Sequence, residues 1–227
     1  MHTVFRIRDM KQMGENKRLY QVDLTLTGDN DPDLCALADR IREETFPKSK
    51  GWYRLGELLL KMGQSDKAQQ VYEVLLEQAS SDREKANIYH RLGYAKYNQG
   101  EYREAIKFYE KALEIYQKTL PANHPLLATS YNNIGLVYSK MGDYSKALSY
   151  YEKDLEIQQK SRPPNHPDLA GSYNDIGMVY GERGDYSKAI SFHQRAVDIG
   201  QRSLPANHPD LQLWKNNLEF VKKRNCN

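Results

Sequence analysis

The chain has 227 residues, 39% of them hydrophobic, which is modest for one compact core and better suited to a layered or repeating one. Its 33 Lys and Arg nearly cancel 30 Asp and Glu, leaving +3, so no global field directs it to nucleic acid, a membrane or polyanions, and electrostatic selectivity has to be local. The two cysteines, Cys35 and Cys226, lack metal-ligand or redox spacing, and neither a signal segment nor a run of about 18 apolar residues occurs, so free thiols and a cytoplasmic location are expected.

Residues 1–28 carry a two-residue period. Val4 and Arg6 alternate with Phe5 and Ile7, and Tyr20, Val22, Leu24 and Leu26 alternate with Gln21, Asp23 and Thr25, which predicts two short strands around a polar turn from Lys11 to Arg18. A hairpin this small is marginal alone, so it is expected to pack on the rest of the chain or to be the remnant of a larger sheet. The string Met1-His2-Thr3-Val4-Phe5-Arg6-Ile7, followed by Leu19-Tyr20-Gln21-Val22-Asp23-Leu24, resembles the last strands of an arginine-type mono-ADP-ribosyltransferase domain. The activity that resemblance implies depends on an NAD-cradling arginine, a Ser-Thr-Ser strand and a Glu-x-Glu turn. All of these would lie upstream of Met1, and Glu-x-Glu occurs nowhere in the chain, so Met1 is read as an internal start or fragment boundary and the chain as no enzyme.

Over 29–48, Asp31-Pro32 reads as an N-cap and first-turn proline, and Leu34, Leu37, Ala38 and Ile41 line one face of a capping helix. The acidic run Asp29, Asp31, Asp33 opens like a calcium loop, but Leu34 stands where glycine is needed and Arg40 where the closing glutamate is needed, so no cation site is expected.

Beyond residue 48 the chain repeats. Asn123-His124-Pro125, Asn165-His166-Pro167 and Asn207-His208-Pro209 recur at 42-residue intervals, and residues 131–138 and 142–147 match residues 173–180 and 184–189. Two more divergent copies, offset by 37 residues, centre on Tyr89 with Leu92-Gly93 and on Trp52 with Leu55-Gly56. Each copy predicts two amphipathic helices, a glycine ending the first and, in the longer units, a proline opening the next. Gly56, Gly93, Gly135 and Gly177 precede Ala68, Ala105, Ala147 and Ala189 by twelve residues, predicting a close helix crossing at each glycine-alanine pair.

These residues resemble the tetratricopeptide repeat (TPR) family, and the 42-residue units over roughly 86–224 resemble kinesin light chain repeats; the motor-pairing heptad segment of true light chains is absent. The resemblance implies a mainly α fold, a right-handed α-solenoid preceded by the hairpin. The repeats would span 49–82, 86–119, 128–161 and 170–203, with a polar-faced capping helix at 211–224. Lys96 and His193 replace expected aromatics and Asp154 replaces an expected alanine, which predicts weaker local packing.

For metal, the three periodic histidines are too far apart if repeats lie roughly 16 to 20 Å from one another. Tyr131, Tyr138, Tyr173 and Tyr180, among 17 tyrosines, are expected in the core and not on unpaired bases. Neither a phosphate loop, a Gly-x-Ser-x-Gly elbow nor a His-Glu-x-x-His helix occurs, so no cofactor or metal is expected. What the resemblance implies instead is a concave peptide-binding face lined by Arg54, Glu57, Lys61, Asn87, His90, Arg91, Tyr94, Asn98, Asn132, Asn133, Leu136, Lys140, Asn174, Asp175 and Met178. Asparagine donates and accepts, suiting an extended backbone. Arg54, Lys61, Arg91 and Lys140 oppose Asp175 and Glu182, predicting an acidic or carboxylate-terminated ligand near repeats one to three. The expected role is a protein-interaction scaffold; the rival readings are the substrate-recruiting tail of an ADP-ribosyltransferase and a kinesin-light-chain-like cargo adaptor.

Overall fold

The computed structural model describes residues 4–12, 20–27 and 50–225, and the chain divides into two units, 1–51 and 52–227, each taken by itself. In the first, β1 (Val4–Gln12) and β2 (Tyr20–Thr27) pair antiparallel, with Val4 opposite Thr27, Gln12 opposite Tyr20 and an irregularity between Ile7 and Asp9. β1 runs on through Lys11 and Gln12, which were expected in the turn; main-chain pairing makes no demand for apolar side chains there. The rest of that turn, the expected helix at 29–48 and the Asp29, Asp31, Asp33 run lie outside the described residues.

The second unit is helical. Among the described residues nine helices follow one another: α1 (Lys50–Lys61), α2 (Ser65–Gln78), α3 (Asp82–Asn98), α4 (Tyr102–Thr119), α5 (Pro125–Lys140), α6 (Tyr144–Ser161), α7 (Pro167–Glu182), α8 (Tyr186–Ser203) and α9 (Pro209–Asn225). Odd-numbered helices are the first members of the repeat pairs, even-numbered ones the second, and α9, the last described helix, holds a first-helix place.

Sequence signals account for the boundaries. At the end of α3, Gly100 adopts φ +78°, and the N–H groups of Gly100 and Glu101 return to the carbonyls of Tyr97 and Lys96 at 3.0 and 2.9 Å, closing the last turn through a left-handed residue. The periodic histidines are helix caps: Nδ1 of His124, His166 and His208 accepts from the backbone N–H of Leu126, Asp168 and Asp210 at 3.2, 3.1 and 3.3 Å, each just before a first-turn proline.

The nearest neighbours of the interior glycines are rings on the second helix. A Cβ on Gly93 would lie 2.7 Å from the Tyr109 ring, on Gly135 2.9 Å from Tyr151, and on Gly177 2.9 Å from His193, while Ala105, Ala147 and Ala189 are fully buried. Each glycine makes room for a ring sixteen residues later on the second helix. His193 fills its aromatic place without loosening it: it is 1% exposed and bonded to Asn174.

The tyrosine expectation also needs correction. Tyr173 is buried, but Tyr131, Tyr138 and Tyr180 are half-buried. Tyr138 stacks on Tyr150 and Tyr180 on Phe192, both with centroids 5.5 Å apart, and Lys146 and Lys188 cover the outer faces of Tyr138 and Tyr180 at 5.0 Å.

Candidate functional site

The first helices lie side by side, joined by a row of side-chain hydrogen bonds. Arg91 Nε donates to the Tyr53 hydroxyl at 3.1 Å (α3 to α1), Asn133 Nδ2 to His90 Nε2 at 2.7 Å (α5 to α3), Asn132 Nδ2 to Asp175 Oδ2 at 2.8 Å (α5 to α7), and Asn217 Nδ2 to Asn174 Oδ1 at 2.9 Å (α9 to α7). In every case one position of a first helix meets the position one residue further along in the next. Further along the same helices, the Ser139 hydroxyl donates to Glu182 at 3.3 Å. Partly buried bonds of this kind contribute about 0.5–1.5 kcal/mol each.

The reading of the asparagines changes with this row. Successive first helices are in side-chain contact on this face, and the periodic histidines are engaged as caps. Among the described residues no three potential ligands cluster around a metal position. The asparagines Asn132, Asn133 and Asn174, expected to await a peptide backbone, spend amide groups on neighbouring repeats. Within its own repeat, Asn87 accepts from the Tyr116 hydroxyl at 2.7 Å.

Hydrogen-bond direction fixes the imidazoles. Asn133 donates to His90 Nε2, so His90 carries its hydrogen on Nδ1; Asn174 Oδ1 can only accept, so His193 Nδ1, 3.1 Å away, is the donor. Burial holds both rings neutral and lowers their pKa values to about 4, with Arg91 adding to the effect at His90.

Charge is distributed differently from the sequence-based expectation. Arg91 pairs with Glu57 and lies over the Tyr53 ring, so its charge is locally compensated, while Arg54, Lys61 and Lys140 are exposed. At the other end Asp175 takes hydrogen bonds from the neutral amides of Asn132 and Asn174, and burial pushes its carboxyl up to about 6. Behind it, Asp154 on α6 is 1% exposed, accepts from the Ser172 hydroxyl at 2.6 Å and Gln158 Nε2 at 3.4 Å, and is raised to about 6 by burial and by the nearby Asp175 charge. The sequence marked Asp154 as a departure from alanine, but not that it belongs to this row.

An apolar column runs beside the polar row. Tyr94, Leu136 and Met178 hold equivalent places in α3, α5 and α7, with Tyr94 and Met178 41% and 43% exposed; Asn98 is exposed one turn beyond Tyr94. The next member is Phe220 on α9, 57% exposed, 42 residues beyond Met178. Reading α9 as a polar-faced cap hid it, although the repeat period would have found it.

Helix pairs that repeat, touch only their neighbours and align their first helices define a helical-repeat solenoid. The chain belongs to the tetratricopeptide repeat family, whose model matches residues 49–118, 84–160 and 149–202. Among solved structures it is similar to a putative kinesin light chain with nearly identical TPR-like repeats from Podosopora anserina, at 22% identity over 82% of this chain and 87% of that one, TM-score 0.65. It is also similar to BtubC (BKLC) from P. vanneervenii, at 27% identity over 74% and 69% of the two chains, TM-score 0.67. A third likeness is to the apo form of RapI, at 19% identity over 86% and 54%, TM-score 0.68. At 22% and 19% identity the likeness is one of fold. No curated protein matches the chain. The family match does not reach residues 1–28, and none of these likenesses supports the ADP-ribosyltransferase resemblance there. Among the described residues no helix is long and apolar enough to cross a membrane.

Proposed function

We propose that the helical unit is a protein-interaction scaffold that binds a segment of another protein along its row of first helices. The observation that carries this reading is the exposure of Tyr94 and Met178 at equivalent places in successive repeats, beside a polar row whose own hydrogen bonds are already made. Exposed apolar side chains aligned by a rigid scaffold offer contact area with little ordering left to do on binding. Arg54, Lys61 and Lys140 favour acidic side chains over repeats one to three; Arg91 adds little, being paired with Glu57.

Affinity capture and mass spectrometry identify the partner, and the double variant Tyr94→Ala with Met178→Ala tests the surface. Binding is expected to weaken about tenfold or more, while Leu58→Ala, an exposed residue of α1 outside the column, leaves it unchanged. Full binding by the double variant would refute the reading.

A second reading, a cargo adaptor resembling kinesin light chain, draws on the light-chain-like 42-residue units and the similar Podosopora anserina structure. Co-purification of a motor subunit supports it, and a captured set without one removes it.

A further inference from the structure

The end of the groove has a composition the rest lacks. On α9, Leu211, Trp214, Leu218 and Val221 are buried. The face that would meet a following second helix is polar instead: Lys215, Glu219 and Lys222 stand where Tyr173, Gly177 and Tyr180 stand one repeat earlier, and Lys222 pairs with Glu219 at 3.1 Å. Leu213 and Phe220 belong to neither surface. They are 52% and 57% exposed, seven residues apart on one side of the helix, and Phe220, with the Arg224 guanidinium 4.8 Å over one face of its ring, continues the column of Tyr94, Leu136 and Met178.

Next to this apolar end sits negative charge without a cation. Asp175 and Asp154 receive only hydroxyl and neutral amide donors, and Glu182 receives the Ser139 hydroxyl; among the described residues no Lys, Arg or His ion pair reaches any of the three. Buried Gln158 donates to Asp154 and leaves its own Oε1 without a partner, so the buried cluster behind Asp175 has an excess of acceptors. At the other end of the row, by contrast, Arg91 and Glu57 neutralise one another. A half-buried carboxylate supported by dipoles alone gains more from an incoming cation than a solvated one does.

We propose that the bound segment places a lysine or arginine against Asp175 and flanks it with apolar side chains on Met178 and on Phe220 and Leu213 of α9. The proposal rests on the groove reading above and gives the ligand an orientation, its acidic part over repeats one to three and its basic residue at repeat four. α9 is then a recognition element. Helices packed about 8–10 Å apart are crossed by an extended chain advancing about 3.3 Å per residue, so the basic and apolar side chains should recur about every third residue.

Selection of a displayed library of random twelve-residue peptides against the full chain tests this. Enrichment of a basic residue with apolar neighbours at about three-residue spacing is expected. The best synthetic peptide should bind about tenfold less tightly when its basic residue becomes glutamine, and the near-isosteric Asp175→Asn should erase that difference. Phe220→Ala, at an exposed position, should weaken all selected peptides without lowering the melting temperature. Peptides that bind, depend on Tyr94 and Met178, yet show no basic preference or keep it in Asp175→Asn would overturn this inference and leave the groove reading standing. Absence of any enrichment removes both. Self-association abolished by Phe220→Ala would identify a second copy as the occupant and likewise overturn it.

Discussion

Asp154→Asn removes a buried charge while preserving its shape. The carboxyl is raised from 3.8 to about 6, chiefly by burial, with Asp175 adding to the rise and the Ser172, Gln158 and Asn132 donors opposing it. The native state therefore holds the proton more tightly than the unfolded chain. Stability from this group is fully present below about pH 4 and is lost as pH rises through about 6. Two units of pKa correspond to about 3 kcal/mol at neutral pH, an upper limit for what neutralisation can restore. Asparagine keeps an acceptor for the Ser172 hydroxyl, and its new amide N–H takes the place of the oxygen facing Gln158 Nε2, so the Gln158 amide has to turn over to present the Oε1 that now has no partner. We expect a gain of about 1–2 kcal/mol at pH 8, or roughly 2–8 °C in melting temperature for a unit of this size.

The pH profile separates this from a packing effect. His90 and His193, lowered to about 4, contribute stability that is present above about pH 6.5 and lost as pH falls toward 4, opposing Asp154 and Asp175 over nearly the same window. Removing one carboxylate unmasks the imidazole contribution. Thermal melts followed by circular dichroism should show the variant ahead at pH 8, the gap closing by about pH 4, and a steeper acid loss than in the parent. A variant destabilised at pH 8, or a gap that is constant with pH, would refute the reasoning.

The glycines give a paired contrast on neighbouring first helices. Gly135→Ala drives a methyl to 2.9 Å from the Tyr151 ring and should cost about 1–3 kcal/mol, whereas Gly171→Ala, with nothing within 4 Å, should stabilise by about 0.5–1 kcal/mol; urea denaturation decides both. His166→Ala should lower stability by about 0.5–2 kcal/mol through loss of the α7 cap, and His166→Asn should recover much of it in the same assay. Lys222→Ala at the outer face of α9 removes an exposed i,i+3 pair and should change the melting temperature by less than about 2 °C.

What was legible in the sequence was whatever obeys the repeat period. Gly100 and Pro125 announced their roles because turn and first-turn chemistry depend on one or two adjacent residues, whereas the capping of α5 by His124 came only with the structure. The polar row was hidden for a geometrical reason: its partners are one residue out of step with the 42-residue repeat, as with Asn132 and Asp175 or His90 and Asn133, because successive first helices are staggered against one another. Aligning equivalent positions therefore sets Asn132 beside Asn174 and suggests a column of unpaired amides awaiting a ligand, when each amide is bonded diagonally to a neighbouring first helix. The same stagger explains why Asp154 looked like an isolated departure from alanine. Its partner Ser172 is eighteen residues away on the following first helix, a relation no single repeat contains. Specificity in such a solenoid is then expected where the regular row departs from its pattern, at the cation-free carboxylates of repeat four and the apolar face of α9, because the regular positions are already occupied in holding the repeats together.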